Sequence, residues 1–353
     1  MSGFRHPCLT SLPAGRVFAQ RIGGRMIVAA SIILFVIFVL PMFAQDDSLV
    51  HIIPRVNARN CTAADITISD PSLNNYSKPL RLNVQLVLVP LTVTDAMGRP
   101  FLGLGKQNFE VYEGKQKQSV RNLSLEDDPV SVGIIFDMSR SMKNKFAEAK
   151  DAVVQFMRTA NLEDEFFLVA FSDEINLLTH FTSSAEDVQN RLIFTEAHGE
   201  TTLLDAIAVG MTEMKNAKYQ RKALLIISDG GDNHSRYTES EIKSFVEEAD
   251  VQLFAMGIFD TAPLAPEERY GPTLLSTLTN VTGGTTFYLN SPSQLSDVAS
   301  KIGSLLRRQY VLAFTPLTKR NDGKWHTIRV KLAPPGGVPR LTVHAKPGYY
   351  ARE

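Results

Sequence analysis

Four stretches, 132–136, 166–171, 223–227 and 251–258, are apolar at nearly every position and show no alternation. A strand that covers one face of a core alternates apolar and polar residues. A strand apolar on both faces must be covered on both, which is the condition of a parallel sheet held between helices. Helical spacing lies between the runs. Phe146, Ala149, Val153, Phe156 and Met157 show it, as do Leu203, Ile207, Met211 and Met214, and more weakly Leu274, Leu278 and Val281. A further helix is expected over 293–308. The pattern predicts an α/β fold: a doubly wound, mostly parallel, Rossmann-like sheet spanning 129–308.

The flanks have a different rhythm. Leu82, Val84, Leu86 and Leu88 alternate with Asn83, Gln85 and Val87, and Val93 and Val111 fall in further short β-type runs. Gly98-Arg99-Pro100 and Glu113-Gly114 supply turns. The β pattern returns after Gln309, at 310–314, 325–332 and 341–345, with Pro334-Pro335-Gly336-Gly337 as a turn. Neither set is large enough to be stable alone. The expected solution is an accessory β-sandwich, in which an N-terminal β segment (80–128) packs with a C-terminal one (309–353) and the α/β domain interrupts them. Residues 46–79 are polar and irregular and read as a linker.

The first apolar run ends in Asp137-Met138-Ser139-Arg140-Ser141, just before a helix. Thr201 precedes the second helical pattern, and Asp229 follows the third run and leads into Gly230-Gly231. In open α/β sheets, ligands bind beyond the carboxyl ends of the strands, where the strand order reverses. Asp137, Ser139, Ser141, Thr201 and Asp229 therefore converge if the first and third strands are neighbours. Hydroxyls and carboxylates are hard oxygen ligands, suited to Mg²⁺ or to Mn²⁺ or Ca²⁺. With only two carboxylates in the set, a bound divalent ion keeps excess positive charge and gains by taking a partner's carboxylate. Each residue also has a plainer use. Ser139, Ser141 or Thr201 could cap a helix, and Asp229 could simply open a turn. Asp205 reads as an early-helix acid favoured by the dipole. His234 reads as a solvated loop histidine or part of a ligand rim. Trp325 and Tyr349-Tyr350 read as β-domain packing.

These residues resemble a known family. Asp137-x-Ser139-x-Ser141 looks like the first motif of the metal-ion-dependent adhesion site in von Willebrand factor type A domains. Thr201, in Gly199-Glu200-Thr201-Thr202-Leu203-Leu204-Asp205-Ala206, matches the threonine segment and fits its spacing better than Thr202. Asp229, in Ile226-Ile227-Ser228-Asp229-Gly230, matches the third motif. The resemblance covers about 130–308. It implies that the two serines ligate Mg²⁺ directly, the threonine directly or through water, and the aspartates mostly through water, with a ligand's acid completing the shell. Arg140 stands where many members have Gly, and its cation either shields the metal or greets an acidic ligand. The flanks, with Phe109-Glu110-Val111-Tyr112-Glu113-Gly114 and Pro347-Gly348-Tyr349-Tyr350-Ala351, look like exported bacterial proteins, common in acidobacteria, that carry this domain between β segments.

Composition narrows the function classes. Lys+Arg and Asp+Glu number 37 each, so the formal net charge is zero and no basic patch points to nucleic acid. Of the 2 cysteines, Cys8 lies in the targeting region, which leaves Cys61 alone. A disulfide framework and a cysteine-based zinc site are both excluded. The first 25 residues carry Arg5, Arg16, Arg21 and Arg25 and no acid, ahead of an apolar run at 26–44. Residues 1–45 thus read as a signal peptide or a membrane anchor. Met42 at the −3 position suits cleavage poorly, so both outcomes stay open. Both export the body to the periplasm, the cell surface or the medium, and the second adds membrane association. Nucleophile-elbow, phosphate-loop and His-Glu-x-x-His motifs are absent from the sequence. An aspartyl phosphoryl-transfer site would want a second Asp where Ser139 stands. The expectation is therefore not an enzyme. It is a binding protein that captures an acidic group of a protein or cell-surface ligand through a metal ion. A structural scaffold of an envelope complex is the alternative, and a Mg²⁺-dependent phosphoryl-transfer enzyme is third.

Overall fold

The computed structural model describes residues 86–259, 266–317, 322–333, 336 and 340–351. They lie in one compact unit, 77–353. The expected leader or anchor at 26–44 and the linker at 46–79 fall outside the described residues. Among the described residues no helix is long and apolar enough to cross a membrane.

Four strands come first: β1 (Val87–Thr94), β2 (Phe109–Glu113), β3 (Gln116–Gln118) and β4 (Val120–Glu126). The α/β part follows, with β5 (Val130–Asp137), β6 (Glu165–Phe171), β7 (Ile175–Thr182), β8 (Arg221–Ser228), β9 (Gln252–Ile258) and β10 (Thr286–Leu289). Its helices are α1 (Phe146–Arg158), α2 (Ala185–Ile193), α3 (Leu203–Glu213), α4 (Glu239–Glu248), α5 (Pro266–Val281) and α6 (Leu295–Arg307). Then β11 (Gln309–Phe314), β12 (Trp325–Leu332), β13 (Thr342–Ala345) and β14 (Gly348–Tyr350) return to the first part.

The central sheet runs β10-β9-β8-β5-β6-β7, parallel except for β7 at one edge. The four doubly apolar runs are its four inner strands. β5 is buried at every position because α1, α2 and α6 pack on one face and α3, α4 and α5 on the other. Ile134 and Phe136 face the first layer and Ile135 the second. Each such side chain contributes about 1.5–3 kcal/mol of burial. Both edge strands escape the apolar signature. β7 keeps a half-exposed face, and β10 is only four residues long.

The flanking segments interleave. β1 pairs with β11 and with β13, and β11 pairs with β4, giving a sheet of order β13-β1-β11-β4. β12 pairs with β2 and β14, giving β14-β12-β2-β3. The two antiparallel sheets share a core of Val87, Val89, Leu91, Val93, Phe109, Val111, Leu312, Phe314, Ile328 and Val330. This is the accessory β-sandwich, built from both sides of the α/β part. On β1 the inward phase is the odd-numbered valines and Leu91. Leu86 and Leu88, which continue the leading alternation, are 48% and 60% exposed.

The chain leaves the sandwich from β4 and returns through β11, and these strands are hydrogen-bonded neighbours, with Glu126 opposite Gln309. Arg221 spans the two crossings. Its guanidinium donates to the main-chain oxygens of Asp128 on the outgoing segment and Leu306 on the returning helix. Arg307 pairs with Asp127 at 3.4 Å.

Candidate metal centre

Strand order reverses between β5 and β8. From β5 the chain moves to β6 and β7 on one side, then crosses back to β8 on the other. Phe136 and Ile227 are opposite in register, so Asp137 and the Ser228-Asp229 turn end side by side. Ser228 makes the link: its hydroxyl donates to Asp137 Oδ2 at 2.6 Å and accepts the Gly230 amide at 2.9 Å. The Ser139 amide donates to Asp137 Oδ1 at 2.8 Å. Both oxygens of a fully buried carboxylate are thereby occupied.

The 137–141 loop is stitched to the loop before α3. His198 donates its amide to the Met138 carbonyl at 2.7 Å, and Arg140 donates to the Gly199 carbonyl at 3.2 Å. Ser139 occupies the N-cap position of a 3-10 turn (Arg140–Lys145), yet its side chain makes no cap bond. Its hydroxyl lies 3.0 Å from that of Ser141. The cap use of Ser139 is therefore not taken up. Thr202, not Thr201, occupies the N-cap position of α3, and it too makes no side-chain cap bond. Thr202 turns its hydroxyl to the Ser172 carbonyl at 2.7 Å. Thr201 is buried and held by its backbone: its amide donates to Asn233 Oδ1, and its carbonyl accepts from Asn233 and His234.

Ser139, Ser141, Thr201 and Asp229 line one open cleft of about 290 Å³, together with Arg140, Gly199, Glu200, Gly231 and Asn233. Asp137 lies under this floor, bonded as above. The five expected residues are thus gathered at the carboxyl edge of the sheet. Arg140 is exposed on the rim, near Glu200, whose carboxylate accepts from Asn233 Nδ2 at 2.8 Å. His234 is exposed and does not line the cleft; only its backbone bears on Thr201.

Three further side chains at the centre are not among the five expected oxygen ligands. Ser228 is one. Lys145, buried to 3% exposure, is another: its Nζ lies 3.6 Å from Asp229 Oδ2 and donates to the Ile258 carbonyl at 3.2 Å. Asp232 is the third, accepting the Leu204 amide at 2.8 Å and the Ser235 hydroxyl at 2.7 Å. Asp205 is more than an early-helix acid. Its Oδ1 accepts the amides of Arg236 and Tyr237 at 2.9 and 3.0 Å, so it pins the loop after β8 to α3. Gly230, at φ 77°, lies against Gly271 of α5, where an added Cβ would come within 2.7 Å of backbone.

The electrostatics leave room for a cation. Burial, and then the nearby Asp229 carboxylate, push the Asp137 carboxyl up to about 7. Asp229 Oδ2 is buried without a hydrogen bond, and the Lys145 ammonium stands beyond hydrogen-bond distance. Lys145 is the counter-charge of this buried oxygen, an ion pair without a hydrogen bond, which leaves the carboxylate only partly compensated. Among the described residues no three His, Cys, Asp or Glu side chains gather at metal-binding spacing. A cation here would rely on hydroxyls, with Ser139, Ser141 and Thr201 beside Asp229 and with Asp137 behind them.

Residues 132–231 match the family model of the von Willebrand factor type A domain. The chain carries a von Willebrand factor type A domain. No curated protein matches the sequence. Among solved structures, a von Willebrand factor type A protein from Catenulispora acidiphila is 13% identical at a TM-score of 0.44, covering 76% of this chain and 74% of that one. The conserved hypothetical protein BatB from Bacteroides thetaiotaomicron is 16% identical at 0.41, covering 50% and 98%. The vWF domain of the type V pili tip protein Mfa5 from Porphyromonas gingivalis is 12% identical at 0.39, covering 50% and 94%. The matched residues contain Asp137, Ser139, Ser141, Thr201 and Asp229, all of β8 and all but the first two residues of β5.

Proposed function

We propose that this protein is an exported, non-enzymatic binding protein whose type A domain captures an acidic group of a protein or cell-surface ligand through a divalent cation, Mg²⁺ first among the candidates. The observation that carries the proposal is the Asp229 carboxylate. Asp229 lines the wall of a cleft that is also lined by Ser139, Ser141 and Thr201, and its buried Oδ2 makes no hydrogen bond and has only the Lys145 ammonium facing it at 3.6 Å. Hydroxyls do not neutralise a dication, so the bound ion keeps an electrophilic position toward the opening. Arg140 at the rim adds a second positive charge there and favours an anionic group. The Arg-rich N-terminus and the apolar run at 26–44 support export, with membrane association if the run is retained.

Titration calorimetry of the full chain with Mg²⁺, Mn²⁺ and Ca²⁺ is the test, run with and without acetate as the carboxylate probe. Binding that Ser139→Ala/Ser141→Ala abolishes, at an unchanged melting temperature in EDTA, supports a site built for a ligand. Millimolar metal that binds neither alone nor with acetate would overturn it. Asp137→Ala that lowers melting while acetate capture persists would instead favour the scaffold role.

A further inference from the structure

We infer that Lys145 sets how tightly this site holds its cation, acting as a tethered counter-charge that occupies the metal-free site and opposes the arriving ion. The inference rests on the metal-binding role proposed above and concerns how that site is regulated.

Lysine is among the residues least often buried, because removing an ammonium from water is costly unless it is paired. Lys145 is nevertheless 3% exposed. It leaves the 3-10 turn (Arg140–Lys145) that carries Ser141, and reaches the carboxyl end of β9, where Nζ donates to the Ile258 carbonyl. That path brings Nζ within 3.6 Å of Asp229 Oδ2. Asp229 lines the cleft and Lys145 does not. The carboxylate therefore stands between two cation positions, a lysine at its back and the hydroxyl-lined opening at its front.

A fixed ammonium there acts in two ways. It neutralises part of the Asp229 charge when no metal is bound, and so keeps the loop ordered at low metal. It also repels a dication on the far side of the same carboxylate. A single charge within 4–6 Å shifts a neighbouring ionic equilibrium by about 1–3 powers of ten, and a doubly charged ion feels it twice over. Affinity is lowered, and the residual positive field at the open position is strengthened, so loading is biased toward a simultaneous anion.

The test compares full-length wild type with Lys145→Met, Lys145→Gln and Lys145→Arg by Mg²⁺ calorimetry and by melting in EDTA. The methionine and glutamine variants are expected to bind Mg²⁺ on the order of tenfold more tightly, to melt lower in EDTA, and to gain more in melting temperature from Mg²⁺. Arginine, which keeps the charge, is expected to restore wild-type affinity. Wild-type binding with unchanged or weaker affinity in the neutral variants overturns this inference alone. No Mg²⁺ binding by wild type or any variant, with acetate absent or present, overturns the metal-binding role, and this inference with it. Should methionine prevent folding, glutamine carries the comparison.

Discussion

Asp137 makes folding stability depend on pH in a direction opposite to that of an ordinary paired carboxylate. Its folded-state value is about 7, against about 3.8 when the chain is unfolded. Between those values the folded protein holds a proton that the unfolded chain has lost, so stability falls as pH rises through the window. The contribution is whole below about pH 3.8 and gone above about pH 7. At about 1.36 kcal/mol per unit, the window is worth on the order of 4 kcal/mol. Urea denaturation in EDTA from pH 4 to 8, on wild type and Asp137→Asn, isolates Asp137 together with its repulsion from Asp229, because the difference between the curves removes the groups that do not interact with Asp137. Wild type should lose on the order of 4 kcal/mol relative to Asp137→Asn across the window. Mg²⁺, which favours the ionised carboxylate, should recover more stability at pH 7 than at pH 5 and should release a proton on binding. A difference curve that is flat, or that rises with pH, would refute the burial-and-repulsion account.

Other substitutions separate the site from its scaffold. Thr201→Val should weaken Mg²⁺ binding in calorimetry with little change in melting. Thr202→Val, which removes one of the two donors to the Ser172 carbonyl and leaves it the Thr202 amide, should cost about 0.5–1.5 kcal/mol in urea denaturation instead. Asp205→Ala removes the acceptor of two main-chain amides. It should cost roughly 2–4 kcal/mol and speed limited proteolysis at 232–237. Gly230→Ala, at a left-handed φ with backbone 2.7 Å from the new Cβ, should lower the melting temperature and weaken metal binding together. Phe314→Ala should cost about 3–5 kcal/mol by emptying the sandwich core, while metal affinity measured below the transition stays unchanged.

The inner architecture was legible because parallel strands covered on both sides cannot hide their composition; Ile134, Ile135 and Phe136 admit no exposed face. The edges were not. β7 mixes Asn176 and His180 into its run, and its half-exposed residues resemble a loop as much as a strand. α4 did carry a readable signal in its capping box, Thr238 with Glu241, but its apolar stripe is reduced to Ile242 and Val246. Within the cleft, the aspartate, serine and threonine spacing reflects positions that one backbone geometry requires. Lys145 follows Lys143 and Asn144 in what reads as a solvated turn. Its burial depends on β9, which is more than a hundred residues away in sequence, and no local pattern encodes that. Thr201 and Thr202 differ for the same reason: the Ser172 carbonyl that claims Thr202 is on another loop.

The paired departure and return of the α/β part has a mechanical consequence. The cleft lies at the carboxyl ends of β5 and β8, and both crossings to the sandwich lie at the opposite ends of the strands. If the proposed ligand is captured, a pull on it would travel down the parallel strands and leave through a two-point root, where Arg221 clasps both crossings. β4 and β11 then carry the load side by side, along their own length and against β1. Strands loaded that way must slide across several hydrogen bonds at once rather than unzip one at a time. Under the proposed capture role, this root would resist tension by shear rather than by peeling.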